Sequence, residues 1–333
     1  MSTTNCFFVG VDVGGTKIFA GACDENFSLI TSKKILISEQ GQIEKEKIAA
    51  EAINALIIRA VREVVNEVAK DHAQLRLGGI GIGVPGPIDK KAGIVISTNN
   101  LPNWRNVPLA EILNREFACP VFLEKDGHIA ALGEYLAGAG RGTDNLAVVT
   151  VGTGVGCGLI VNGEIYSGRG GAAGELGHIV ISESPVKCGC GNTGCREAFV
   201  SGANLVNHAA QALRAGRPSR LREMVSDFDE LSPPLIAEAA EAGDELCLEL
   251  IKEMGHYLGI GLVSLINLFS PDKILLGGGI SRTGDLLINE VRAEVKHRAW
   301  SIYGDTPIER TALDIYSGIY GGAALPLRHS RRN

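Results

Sequence analysis

Apolar and polar positions along the chain alternate between a strand rhythm and a helix rhythm. FFVGVDV reads as a strand that runs through GGT into KIFAGACDENFSLI, a second strand and a turn, and SKKILIS reads as a third strand. From Glu44 to Gln74 apolar residues recur at helical spacing: Ile48, Ala52, Leu56, Val61, Val64, Val65 and Val68. GGIGIGVPG is the next strand, Pro108 to Phe117 a short helix, and PVFLEK another strand. A helix follows from near Gly127 to Leu136.

The pattern then restarts. NLAVVTV predicts a strand, GTGVG a glycine turn and CGLIVNGEIY a second strand, echoing the opening strand, DVGGT turn and strand about 140 residues earlier. The repeat is one of architecture, with little repeated sequence. It predicts two lobes with a cleft between them, joined by short hinges. The later third is mainly helical, with helices over Arg196–Ala215, Pro233–Gly243 and Asp244–Phe269, before the strand PDKILLGGGIS.

Composition narrows the class. A chain of 333 residues exceeds the usual size of a single core and predicts two domains, and 45% apolar residues are ample to fill them. The net charge of −6 and the lack of a basic block disfavour a nucleic-acid partner. No apolar run reaches a membrane span, and MSTTNCFFVGVDVGG lacks the basic region and cleavage site of a signal peptide, so the chain is expected in the cytosol with no membrane partner. Of eight cysteines, Cys6, Cys23, Cys119, Cys157 and Cys247 are scattered among apolar residues and read as reduced, buried thiols.

The glycine turns are candidates for phosphate binding. In DVGGTK, between two strands, glycines let backbone N–H groups approach an anion, while Thr16 and Lys17 add a hydroxyl and a charge. Asp12 could hold Mg2+ through water beside the phosphates; the plainer alternative is a hairpin Asp bonding its own backbone. GTGVGCG superficially matches a dinucleotide fingerprint, but a strand pattern follows Gly156 where that motif needs a helix. Either turn alone fits an ordinary hairpin. Both together, with LGGGI at Leu276–Ile280, point to a nucleotide held by Gly10, Asp12, Gly14, Gly15, Thr16 and Lys17, by Gly152, Thr153, Gly154 and Gly156, and by Gly278 and Gly279.

The remaining cysteines crowd into HIVISESPVKCGCGNTGC. His178, Cys188, Cys190 and Cys195 form the usual donor set of a closed, tetrahedral, structural Zn2+ site, whereas a disulfide would need an oxidising compartment that nothing else supports. The knuckle would hold Glu175, His178 and Glu197 in one neighbourhood, where carboxylates and an imidazole could bind several hydroxyls of a sugar; the alternative is that both glutamates are surface charges.

These motifs resemble the ROK family (repressors, open reading frames and kinases), in particular its glucokinase-like members. The resemblance spans nearly the whole chain, through DVGGTK, GVPGPID, NLPNW, EKDGHIAALGE, GTGVGCGL, GELGH, CGCGNTGCRE and LGGGI. It implies an α/β, actin-like and hexokinase-like (ribonuclease H-like) two-domain fold. The smaller N-terminal domain would take residues 1–125 and about 315–333, and the larger C-terminal domain 126–314 with the knuckle. It implies ATP, Mg2+, a structural Zn2+, and transfer of the γ-phosphoryl group to a hexose 6-hydroxyl, with a homodimer or homotetramer as the common assembly. By position Asp126 matches the general base, Asn100, Glu175, His178 and Glu197 match sugar contacts, and Gly86 matches the backbone lining the sugar pocket. Such chemistry needs positioning, charge stabilisation and one carboxylate to take the hydroxyl proton. Repressors of the family carry a helix-turn-helix before the first glycine motif; here that motif begins about ten residues in, which disfavours DNA-binding repression.

One motif departs from the family. Where the pattern is close to NDAN, this chain has Lys125, Asp126, Gly127 and His128. Asn offers donors and an acceptor; Lys offers donors only. Lys125 either binds the sugar differently, or swings outward as a surface residue, or marks a weakly active sugar-binding sensor. Glucose is the default substrate; N-acetylglucosamine, mannose, fructose and amino- or carba-sugars stay open.

Overall fold

The computed structural model describes residues 5–37, 48–98, 101–152, 154–279, 285–300 and 302–332. Strand β1 (Cys6–Val13) is buried along nearly all its length, as its mostly apolar run requires of a central strand. It pairs antiparallel with β2 (Lys17–Asp24), and β2 with β3 (Leu29–Leu36). Helix α1 (Ala50–Asp71) buries Ile53, Leu56, Ile57, Ala60, Val61, Val64 and Val68 on one face. The expected start of this helix, at residues 44–47, lies outside the described residues. Strand β4 (Arg76–Val84), the short hairpin β5 (Ile88–Asp89) and β6 (Ile94–Val95), helix α2 (Leu109–Phe117), strand β7 (Val121–Lys125) and helix α3 (Asp126–Ala137) follow.

The second run comprises β8 (Leu146–Val151), β9 (Val155–Val161) and β10 (Glu164–Ile165). CGLIVNGEIY is thus a hairpin rather than one strand. Asn162 and Gly163 both take positive φ (51° and 75°), the geometry of a two-residue turn whose twist matches the flanking strands. The expected helix over Arg196–Ala215 is split into α4 (Glu197–Val200) and α5 (Gly202–Arg214), because Ser201 is extended and caps α5 by accepting from Asn204 N. Then come α6 (Leu221–Met224), α7 (Pro233–Glu241), α8 (Glu245–Phe269), β11 (Lys273–Gly277), α9 (Asp285–Arg298), β12 (Ile308–Arg310) and α10 (Ser317–Arg332).

The architectural repeat is real. Two five-stranded sheets have the orders β3-β2-β1-β4-β7 and β10-β9-β8-β11-β12, each joining a hairpin-connected trio to two further strands. The β1–β4–β7 and β8–β11–β12 pairings are parallel. The described residues group into two units, one within Met1–Gly142, Gly158–Gly174 and Ala312–Asn333, the other within Thr143–Cys157 and Glu175–Thr311. No described helix is long and apolar enough to cross a membrane.

Helix α10 was not foreseen, because glycine is a poor helix former. Its glycines are a packing face. A Cβ at Gly318 would meet Asp12 at 2.8 Å, and one at Gly322 would meet the Gly81 carbonyl at 2.8 Å. Gly10 and Gly81 in the sheet and Gly133 in α3 equally lack room for a side chain against α10. Backbones therefore touch where α10 crosses β1, β4 and α3.

Glu134, fully buried, anchors this junction. Its carboxylate accepts from Ala139 N (3.0 Å), Ala312 N (3.0 Å), Leu313 N (2.9 Å) and Ser317 Oγ (2.7 Å). Glu134→Ala leaves these four donors without their acceptor and is expected to cost about 1–3 kcal/mol in urea unfolding. A loss below about 1 kcal/mol would mean that water replaces the carboxylate.

Candidate active site and metal centre

The register of the first sheet assembles the catalytic candidates. Asp12 on β1 pairs with Gly83 on β4, and Gly83 with Glu124 on β7. Asp12 and Asp126 therefore lie at the C-terminal ends of two parallel strands that flank β4, where α/β proteins place their ligands. Asp126 is the first residue of α3, half-buried, and its Oδ1 accepts from Gly127 N at 2.7 Å. Lys125 is only 9% exposed, so it does not swing outward.

Burial pushes the Asp12 carboxyl up, the charge of Asp126 pushes it further, and Lys17 opposes both, leaving its pKa at about 7 instead of 3.8. The folded protein thus keeps a proton there that the unfolded chain loses near pH 4. The contribution of Asp12 to stability therefore falls as pH rises from about 4 to about 7. Without added magnesium or nucleotide, Asp12→Asn should gain melting temperature relative to wild type from pH 4 to 7, the gap levelling off above. A gap independent of pH would contradict this. A bound divalent cation would displace that proton, so Asp12 fits a metal-binding role.

The turn after Asp12 is tight, Gly14 N donating to Lys17 O at 2.9 Å, with Gly15 and Thr16 at its tip. The Lys17 ammonium sits 5.1 Å from the Phe19 ring centroid. Gly10 is not part of this turn; it lies mid-strand beneath α10. Gly86 has φ of 92°, and a Cβ there would lie 2.5 Å from the Ser97 carbonyl oxygen, so the position admits only glycine. Asn100 and Thr153 lie outside the described residues.

The second unit carries the donor cluster. His178, Cys188, Cys190 and Cys195 place their ligand atoms within 4.8 Å of one another. Cys190 Sγ and Cys195 Sγ are 3.8 Å apart, as are Cys188 Sγ and His178 Nδ1. Sulfurs about 2.3 Å from a tetrahedral ion would be spaced by about 3.8 Å, so the set fits. Burial pushes the Cys188 thiol up to about 12, which a bound cation would reverse. With Nδ1 turned to the cluster, His178 Nε2 points toward Glu175 Oε2, 3.9 Å away.

Glu197 joins the knuckle to the second glycine turn. Its Oε2 accepts from Val155 N at 2.9 Å, its Oε1 lies 3.7 Å from Cys188 Sγ, and a Cβ at Gly154 would collide with its carboxylate at 2.5 Å. Gly152 N donates to Gly154 O, closing the turn, whereas Gly156 lies inside β9. Gly278, with φ of 85°, packs against the Val151 carbonyl, and Gly279 is next to it. Motif reading missed the fully buried Arg196, whose Nη1 donates to Leu176 O at 2.7 Å and whose backbone N donates to Ile179 O. It fixes the short 3-10 turn that carries His178. It also missed Glu124, Lys90 and the role of His128; the Glu124-to-His128 spacing of four was the available signal.

The ROK family model matches residues 8–329. A glucokinase of Halalkalibacterium halodurans is 34% identical over 96% of this chain and 94% of its own length. A ROK family glucokinase from Streptomyces griseus, solved in complex with glucose and AMPPNP, superposes with a TM-score of 0.83 at 31% identity, covering 96% of this chain and 98% of that one. A ROK family transcriptional regulator, a homologue of the E. coli MLC protein, gives 0.85 at 28% identity over 98% of this chain and 78% of that one. The architecture is thus the hexokinase-like α/β fold that the motifs imply. With a family model spanning nearly its full length and a glucokinase 34% identical across it, the chain belongs to the ROK family.

Proposed function

We propose that the protein transfers the γ-phosphoryl group of ATP to the 6-hydroxyl of a hexose, with glucose as the first candidate. The observation that carries this reading is the placement of Asp126 at the end of β7, electrostatically coupled to Asp12 beside the DVGGTK turn. A carboxylate there can take the hydroxyl proton while charge on the transferred phosphate is stabilised nearby. Asp12 would hold Mg2+ through water. The turns at Asp12–Lys17, Gly152–Gly156 and Gly278–Gly279 would hold ATP. Gly86, Asn100, Lys125, Glu175, His178 and Glu197 would contact the sugar, and His178, Cys188, Cys190 and Cys195 would hold a structural Zn2+. The similarity to glucokinases, one solved with glucose and an ATP analogue, supports the substrate pair.

Product analysis by 31P NMR tests the regiochemistry: a phosphate ester coupled to the C6 protons is expected, and an ester at any other hydroxyl contradicts it. The buried Lys125 and the likeness to transcriptional regulators favour a second reading, a sugar-binding sensor without turnover. Calorimetry showing hexose binding with no ADP formed would select it. Lys125→Asn, compared over a sugar panel, separates a change of specificity from a loss of activity.

A further inference from the structure

His128 departs from the family pattern, and its surroundings give it a task. It is fully buried in the first turn of α3, two positions after Asp126. Its Nδ1 is 2.8 Å from Glu124 Oε1 and its Nε2 is 3.1 Å from the Ala173 carbonyl. A carbonyl oxygen only accepts, so Nε2 donates. The Glu124 carboxylate also accepts from Lys125 N (2.9 Å) and from Lys90 Nζ, which donates in turn to Ser167 Oγ at 2.7 Å. Burial pushes the Glu124 carboxyl up, but the hydrogen bonds and charges of His128 and Lys90 outweigh it and hold the group below its usual range. An ionised carboxylate only accepts, so Nδ1 donates as well.

The two acceptors belong to different segments. Glu124 is the penultimate residue of β7, beside the strand–helix junction that delivers Asp126. Ala173 belongs to a glycine-rich segment in which Gly168, Gly170, Gly171 and Gly174 all take positive φ. Such a segment has much conformational freedom to lose, and side-chain bonds add to its own backbone bonds, Ala172 N to Arg169 O and Ala173 N to Ser167 O, in holding its shape. Lys90 pins its start through Ser167, and His128 pins its end through Ala173. The chain continues directly into Glu175 and His178.

We propose that His128 is a positioning residue that clamps the segment leading to Glu175 and His178 onto the strand end that carries Asp126, using an N–H on each ring nitrogen. The kinetic part of this inference rests on the kinase reading above; the clamp itself does not. Asn at 128 can place a donor near the Nδ1 position and keeps only the Glu124 bond. Gln reaches further, places a donor near the Nε2 position and keeps the Ala173 bond.

Hydrogen exchange on the zinc-replete full chain reads the clamp without any turnover. Residues 168–174 should exchange at least about tenfold faster in His128→Asn than in wild type, while His128→Gln stays within about threefold. In kinetics, His128→Asn should raise the sugar KM about tenfold or more with a smaller change in kcat, and His128→Gln should restore it. Long-range 1H–15N spectra of histidine-labelled protein should show both His128 nitrogens protonated. Equal exchange in all three proteins, or a His128 ring with one bare nitrogen, would overturn the clamp. A KM that follows melting temperature in both variants would reduce His128 to a packing role. Absence of turnover in wild type, with the exchange pattern intact, would count against the kinase reading and leave the clamp standing.

Discussion

Asp126→Asn is expected to lower kcat/KM for the hexose by about 10²- to 10⁴-fold, the usual contribution of a general base. The amide keeps the shape of the carboxylate and can still accept from Gly127 N, so the first turn of α3 should survive. Melting temperature should therefore stay close to wild type, and sugar affinity measured by calorimetry should change little. The loss then belongs to chemistry, because the substituted group cannot take the 6-hydroxyl proton. A variant that keeps more than about a third of wild-type kcat would assign the base elsewhere.

Removing the metal should have the second large effect. One zinc per chain is expected by elemental analysis, lost in Cys195→Ser or on prolonged chelation. Around the cluster, Cys188, Cys195 and Ala198 form only a small apolar group with Val186 and Phe199 against it. Ligand binding energy is therefore much of what holds the knuckle, and its loss should cost at least about 3 kcal/mol, or roughly 6–12 °C in melting temperature. Activity should fall too, because Glu197, which holds Val155 N beside the second glycine turn, and His178, which faces Glu175, are both fixed by the cluster. Wild-type stability and activity in a zinc-free protein would contradict this.

The sequence was legible where one local signal decides the structure. Apolar runs marked β1, β4 and β8, helical spacing marked α1, and the Cys–His spacing marked a cluster whose donors do converge. It was opaque where long-range packing reverses a local preference. No expectation covered α10, whose glycines are poor helix formers, yet they are what lets its backbone lie on Gly10 and Gly81. The short strands β5, β6 and β12 and the helix α9 gave no separate expectation. Charged residues were hardest to read. Glu134 finds Ser317 183 residues away and His128 finds Ala173 45 residues away, separations at which residue type predicts no partner. Lys125 shows the reverse limit, since its identity raised the question of specificity while only the structure shows its side chain buried.

A coupled ADP-release assay of zinc-replete wild type and Asp126→Asn, over a panel of hexoses with ATP and Mg2+, tests the central claim most directly. Turnover with at least one hexose, fastest with glucose and lost in Asp126→Asn, is the predicted result. A folded, zinc-bound wild-type protein that releases no ADP with any sugar would contradict it.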